Sequence, residues 1–405
     1  MPRLLSRATV TAATLGFVCA SLVATATGWA YTAAQPAGHV SPTATQPDVA
    51  SGLIASPIAT PHPVVAADGK RHLVYELQLI NAAEVAVTVD RVETVDARSG
   101  RVLAVLEGDA VAAVMRPFGG KPPGSTLQAG EAGVIMLDAA LPRSAPVPRT
   151  IAHDFSLTYT SDLGLPAEQR SGVVKIARDR PVVVGAPLQG AGWVAVNACC
   201  DGATPHRQAI IPINGAFYVA QRFAIDFARL TPDRRVFDGD PEQLASWPSY
   251  GAEVVSATRG VVVGTRDGFA DNVPVGSLPP ISLDNVGGNY VVVDIGGGKF
   301  AFYAHLQPGS LTVSVGDRVR RGQVLGLVGN SGNSDFPHLH FHVMDSPSPL
   351  ASDGLPYEFD FFSSPGSIAN GDEVLAGEPA VFDTTLSGPH SHQIPMDLQV
   401  VDFRP

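Results

Sequence analysis

Pro337-His338-Leu339-His340-Phe341-His342-Val343 decides how this chain is read. In an extended strand, neighbouring side chains point to opposite faces. His338, His340 and His342 therefore share one face, and Leu339, Phe341 and Val343 the other. Imidazole is the commonest metal ligand and titrates near neutral pH without help from its surroundings. Three imidazoles on one strand face predict a metal or acid–base site rather than a solvated row of histidines. The preceding Gly329-Asn330-Ser331-Gly332-Asn333-Ser334 predicts a turn feeding this strand, which puts the site at the mouth of a hairpin.

Working outward, the 405 residues are 45% hydrophobic and only 16% charged, with 41 glycines and 34 prolines. With many Val and Thr, this composition predicts an all-β, loop-rich protein. A net charge of −11 argues against a nucleic-acid partner. Arg3 and Arg7 precede an apolar run, so residues 1–30 read as a signal peptide or an N-terminal anchor. Export to the cell wall, periplasm or exterior follows, with membrane contact only through that segment. Residues 31–60, rich in Ala, Pro, Thr and Ser, read as a disordered linker.

Residues 61–180 carry short alternating runs separated by turns, the pattern of an immunoglobulin-like β-sandwich. His72 and His153 read there as partly buried strand histidines. A second β region spans 190–362. Residues 363–405 read as a tail of Gly, Ser and Pro loops with one further strand near Leu398–Phe403, His390 and His392 lying solvated in a loop. Cys199 and Cys200 are adjacent, so they form either a vicinal disulfide or two separate thiols in a structural turn.

Four segments of the second region bear chemistry. Asp226 sits among apolar neighbours in Phe223-Ala224-Ile225-Asp226-Phe227, where a carboxylate is costly to bury without a partner or a cation. Tyr250–Val263 supplies a further strand pattern. Tyr303-Ala304-His305-Leu306 and the Gly316-Asp317-x-Val319-x-x-Gly322-Gln323 run precede the histidine strand. With Gly329–Ser334 and His338-Leu339-His340, these segments resemble the LytM/lysostaphin-type zinc metallopeptidases, which cut peptide cross-links of bacterial cell walls. The resemblance covers about residues 205–345. It implies a folded-over antiparallel β metallopeptidase domain, a Zn²⁺ cofactor and peptidoglycan peptide stems as substrate.

The resemblance also implies roles. The family's His-x-x-x-Asp pair and the second histidine of its His-x-His hold zinc, and they fall on Arg222, Asp226 and His340. Its two catalytic histidines, which deprotonate the attacking water and steady the tetrahedral intermediate, fall on His305 and His338. Arg222 departs from the pattern, because a guanidinium has no lone pair to offer and stays protonated. Two accounts follow. In one, another histidine is the third ligand: His342, two residues from His340, or His206, brought near by a hairpin about Asn214-Gly215. In the other, Arg222 pairs with Asp226 in place of the metal, and the protein is a non-catalytic relative that binds the wall or regulates a partner hydrolase. The glycine-rich run also resembles lipoyl or biotinyl carrier domains, but the turn at 330–333 lacks the lysine such carriers need.

Overall fold

The computed structural model describes residues 48–404. The leader or anchor over 1–30 and most of the linker segment lie outside the described residues. Those described are almost entirely strand and loop, and the longest helix, Asp109–Val114, has 6 residues. No helix among them is long and apolar enough to cross a membrane.

The N-terminal unit is a sandwich of two five-stranded antiparallel sheets. Lys70–Asn81 and Ala132–Pro142 pair at the centre of one sheet, and Val87–Asp96 and Thr150–Tyr159 at the centre of the other. Between them lies a core that includes Leu77, Val89, Ile135 and Phe155. Leu53–Pro57, inside the segment read as linker, is a strand paired with Lys70–Asn81. Its Leu53 enters the sandwich core, so pairing and burial order a stretch whose composition reads as disorder.

Lys70–Asn81 is buried on both faces from His72 to Leu77. Leu73, Tyr75 and Leu77 face the sandwich core. Val74 instead belongs to the core of the second unit, and Glu76 on that same side is fully buried.

The second unit is built on a sheet of 12 strands. Its central order is Gly260–Arg266, Asn289–Gly296, Lys299–Leu306, Leu339–Met344, Ile225–Arg229, Gly190–Val196, Gln399–Phe403 and Phe362–Ile368. The stretch read as a tail thus contributes strands to one side of this sheet, next to Gly190–Val196. Phe362–Ile368 alternates buried and half-buried along small Ser, Pro and Gly residues, a pattern hydropathy does not reveal. His390 is likewise buried rather than solvated, stacked on Phe362 and bonded to Gln393.

On Leu339–Met344, Leu339, Phe341 and Val343 are fully buried in the large core, so the period-2 reading of this strand holds. Each such side chain contributes roughly 1.5–3 kcal/mol on burial. That fixes the register, because a one-residue slip would drive the histidines into the core. The expected hairpin is absent. Val324–Leu327, the strand before the Gly329–Ser334 turn, pairs with Glu253–Val255 and not with the histidine strand. Cys199 and Cys200 are joined by a disulfide.

Candidate metal centre

Strand register assembles the centre. Ile225–Arg229 and Lys299–Leu306 flank Leu339–Met344, with Asp226 directly opposite His340 on one side and Ala304 opposite it on the other. His340 Nδ1 lies 2.8 Å from Asp226 Oδ1. His338, just before the strand, places Nε2 3.3 Å from the same oxygen.

His305 reaches the group through a ladder irregularity. Tyr303 and Leu306 both pack into the large core, which strict alternation does not permit. The register with Asn289–Gly296 shifts at this point, and His305 takes φ 64°. A bulge re-aims a side chain in this way, and left-handed φ in a non-glycine residue is a strain found at functional sites. The His305 ring centroid then lies 4.9 Å from that of His338 and 5.7 Å from that of His340.

Of the two candidates for the third ligand, His206 meets the carboxylate. It sits in the short helix Pro205–Gln208, and its Nε2 is 3.1 Å from Asp226 Oδ2. The expected hairpin is present, Ile211–Ile213 pairing with Ala216–Tyr218 about Asn214 (φ 51°) and Gly215 (φ 82°). His206, Asp226 and His340 offer three ligand atoms within 4.8 Å of one another. His305, His338 and His340 do the same.

His342 does not join either group. Its Nδ1 is 3.0 Å from His340 Nε2, and its own Nε2 is buried without a partner. At i, i+2 spacing the His342 ring stands behind the His340 ring rather than beside it. His340 can therefore present Nδ1 inward while its Nε2–H is held from behind, the usual arrangement around a ligating histidine.

Arg222 is not in the centre and does not pair with Asp226. It sits in a turn four residues upstream, and its guanidinium points the other way. It donates to Glu76 Oε2 at 2.7 Å, to Asp353 Oδ1 at 3.2 Å and to the Gly354 carbonyl at 2.9 Å. The account in which Arg222 replaces the metal by neutralising Asp226 is corrected on this geometry. What faces Asp226 instead is a set of imidazoles and the Asn197 amide, 2.9 Å away.

The hydrogen bonds around these rings decide which nitrogens carry protons. His206 Nδ1 faces only the carbonyl oxygens of Asn197 and Ala224, at 3.0 and 3.1 Å. His305 Nδ1 faces the Ser331 carbonyl at 2.8 Å, and His338 Nδ1 the Phe336 carbonyl at 2.7 Å. A carbonyl can only accept, so each Nδ1 carries hydrogen and each Nε2 is left with a lone pair unless the ring is charged. Lone pairs on His206 and His338 would then face a buried carboxylate. Either two imidazolium ions or one inward divalent cation resolves this.

Two imidazole nitrogens and one carboxylate are protein donors of the kind a catalytic zinc site uses. The residues present fit that ion.

Electrostatics follow from the same contacts. Burial works against the Asp226 charge, but His206 and His338 hold its carboxyl well below the usual range. Burial pulls His206 down, yet Asp226 outweighs it and raises the ring above 6.5. Burial, then His338 and His340, push His305 well below 6.5, which keeps it neutral at physiological pH.

The Gly329–Ser334 loop is a scaffold for the two outer histidines. Ser331 and Asn330 are fully buried, and Ser331 Oγ donates to the Leu306 carbonyl at 2.8 Å. Asn272 Nδ2 ties down the Gly332 and Ser334 carbonyls, each at 2.9 Å. Gly332 (φ 78°) allows this closeness, since a Cβ there would meet Gly288 N at 2.3 Å. Gly332 also lines a cavity of about 370 Å³ with Phe269, Asp271 and Leu278. A further His72–Asp138–Cys200 group is closed to metal, because Cys200 is in the disulfide and His72 already bonds Asp138 at 2.8 Å.

Residues 246–352 match the model for Peptidase family M23. The match holds His305, His338, His340 and His342 and begins beyond His206 and Asp226. Peptidoglycan DD-endopeptidase ShyA of Vibrio cholerae is 35% identical over 140 residues, 34% of this chain and 27% of that protein. Murein hydrolase activator EnvC of Escherichia coli is 34% identical over 115 residues, 26% of this chain and 27% of that protein. The chain thus spans about a quarter of the length of either relative. The catalytic domain of lysostaphin from Staphylococcus simulans is 22% identical over 40% of this chain and 88% of that domain, with a TM-score of 0.22.

Proposed function

We propose, from the premise that this chain carries a Peptidase family M23 domain, that it is a zinc-dependent endopeptidase that hydrolyses peptide cross-links of peptidoglycan. The observation that carries the reading is the convergence of His206 Nε2, Asp226 and His340 Nδ1 within 4.8 Å, with both outward ring nitrogens already engaged. Zinc bound there would polarise the scissile carbonyl and acidify a water to a pKa of ~7. His206, Asp226 and His340 would hold the ion. His342 accepts from His340 Nε2–H and so fixes the ring that ligates.

His305, neutral and tethered through Nδ1 to Ser331, offers Nε2 as general base for the attacking water. His338, tethered through Nδ1 to Phe336, presents Nε2 on the same side of the centre. There, protonated on Nε2, it would steady the developing oxyanion, while His305 would pass the proton taken from the water to the leaving amine. Positioned acid–base groups of this kind contribute typically 10²–10⁴-fold. The substrate lies outside the cytoplasm, so the protein works as an exported one, with residues 1–30 as its leader or anchor.

The test uses the full chain and purified peptidoglycan, following new amino termini together with zinc per chain. One zinc and chelator-sensitive cleavage are expected. Absence of zinc after loading at neutral pH overturns the enzyme reading. A second reading, favoured by the likeness to a murein hydrolase activator, is a non-catalytic protein that binds the wall or stimulates a partner hydrolase. It predicts no cleavage by the chain alone.

A further inference from the structure

Among the described residues, three buried charges lie outside the centre and take no part in the chemistry: Glu76, Arg207 and Arg222, each at most 5% exposed. Glu76 belongs to the sandwich strand Lys70–Asn81, and the two arginines belong to the second unit. Arg222 donates to both Glu76 oxygens, from Nε at 2.9 Å and from Nη2 at 2.7 Å to Oε2, and from Nε at 3.1 Å to Oε1. Arg207 Nη2 is 3.2 Å from Glu76 Oε1. The same guanidinium donates to the Cys200, Tyr75 and Leu137 carbonyls at 2.9, 3.2 and 3.2 Å. It thereby spans both units.

The positions of the arginines in the chain matter more than their count. Arg207 directly follows His206. Arg222 lies in the turn just before Asp226, closed by Arg222 N–H to the Val219 carbonyl and Ala224 N–H to the Gln221 carbonyl. Ala224, the last residue of that turn, supplies the carbonyl that His206 Nδ1–H grips. Two segments, each carrying one inward ligand, are therefore drawn to a single carboxylate from the sandwich. Guanidinium groups stay charged in proteins, so without Glu76 two buried cations would repel across the gap between those segments.

We propose that Glu76 is a positioning residue for the metal centre, so that the sandwich is a working part of the site. Its carboxylate clamps Arg207 and Arg222, and through them sets the separation of His206 from Asp226. The inference rests on the metal reading above. Among the described residues, no hydrogen bond or ion pair joins the sandwich to His206, Asp226 or His340. The effect travels through two ion pairs and a short stretch of backbone.

The experiment uses the full chain. Glu76→Gln keeps the shape and removes the charge. Zinc affinity is measured by competition with a chromophoric chelator, and Co²⁺ is substituted to read ligand geometry from its visible bands. Partners behind a metal ligand typically govern 10–100-fold in affinity. Glu76 acts through intermediaries, so a rise in zinc Kd of about tenfold is expected, with altered Co²⁺ bands and a retained β-type circular dichroism spectrum. Leu157→Ala, a cavity in the sandwich core away from the clamp, should lower the Tm and leave Kd unchanged.

If Glu76→Gln does not fold, Arg207→Lys replaces it. That variant retains the charge but cannot bridge four oxygens, and the same rise in Kd is expected. A folded Glu76→Gln protein with wild-type Kd and Co²⁺ bands overturns the proposal. So does an equal loss of affinity in Leu157→Ala, which would mark the effect as general destabilisation. Absence of zinc from the wild-type chain overturns the metal reading itself, and the proposal with it.

Discussion

Arg222→His separates the motif-based view of position 222 from the structural one. By motif spacing, a histidine there should restore a zinc ligand. In the structure the side chain at 222 points to Glu76, Asp353 and Gly354, away from Asp226. Histidine is too short to reproduce the fork, so Glu76, fully buried, would keep only the single 3.2 Å contact with Arg207. Removing one partner of a buried ion pair costs 3–5 kcal/mol. The Asp353 contact adds little, since that carboxylate is partly solvated. We take about 4 kcal/mol, which for a chain of this size corresponds to a Tm lower by roughly 5 °C. Calorimetry reads the Tm, and elemental analysis after zinc saturation and desalting reads the stoichiometry. The expected result is one zinc per chain in both proteins and a clear drop in Tm. An additional zinc in the variant, or zinc in the variant alone, would refute the placement of Arg222. An unchanged Tm would refute the energetic argument.

Other outcomes follow from the same geometry. His206→Ala should weaken zinc binding by about 10²-fold or more, taking roughly 3 kcal/mol per ligand from the 10–16 kcal/mol of four-ligand sites; chelator competition checks it, and an unchanged Kd would show that His206 is not a ligand. His305→Ala should keep its zinc and lose about 10²–10⁴-fold in cleavage rate; loss of the metal would mean that its role is misassigned. His342→Ala should weaken zinc binding about 10–100-fold by freeing the His340 ring, and a loss of cleavage without loss of affinity would count against an orienting role. In the metal-free protein the His206 ring stays protonated above its ordinary 6.5, because Asp226 outweighs burial. Proton and metal then compete, so affinity should hold at high pH and begin to fall while the pH is still above 6.5. Affinity that stays flat from about pH 8 to pH 6 would contradict this.

The histidine strand could be read because two periodicities coincide in it. Leu339, Phe341 and Val343 had to be buried together, and that alone turns the histidines to one side. Asp226 stood out for a similar reason, as one charge in an apolar strand. His206 could be placed only as a candidate. The cue was the Asn214-Gly215 turn, and the contact itself depends on a loop path that local pattern does not encode. The destination of Arg222 was not readable at all. Its partner Glu76 lies 146 residues upstream, in a strand whose alternation marks the face but not what covers it. The bent ladder at His305 was equally hidden, since a bulge leaves no signature in hydropathy. In segments 48–60 and 363–404 composition points to loop where the chain forms strands. Small polar side chains can be buried when strand pairing satisfies their backbone, and they then look like loop.

The strand Gln399–Phe403 lies inside the large sheet, between Gly190–Val196 and Phe362–Ile368. Gly192 N–H is held by Asp402, 210 residues later. The sheet that carries the histidine strand therefore cannot close until nearly all of the described chain has been synthesised. Until then the strand carrying Trp193 has an open flank, a template for pairing with the wrong chain. Such long-range pairing is slow to form. Order of synthesis thus leaves an interval in which the sandwich is complete and the sheet holding the histidine strand is not.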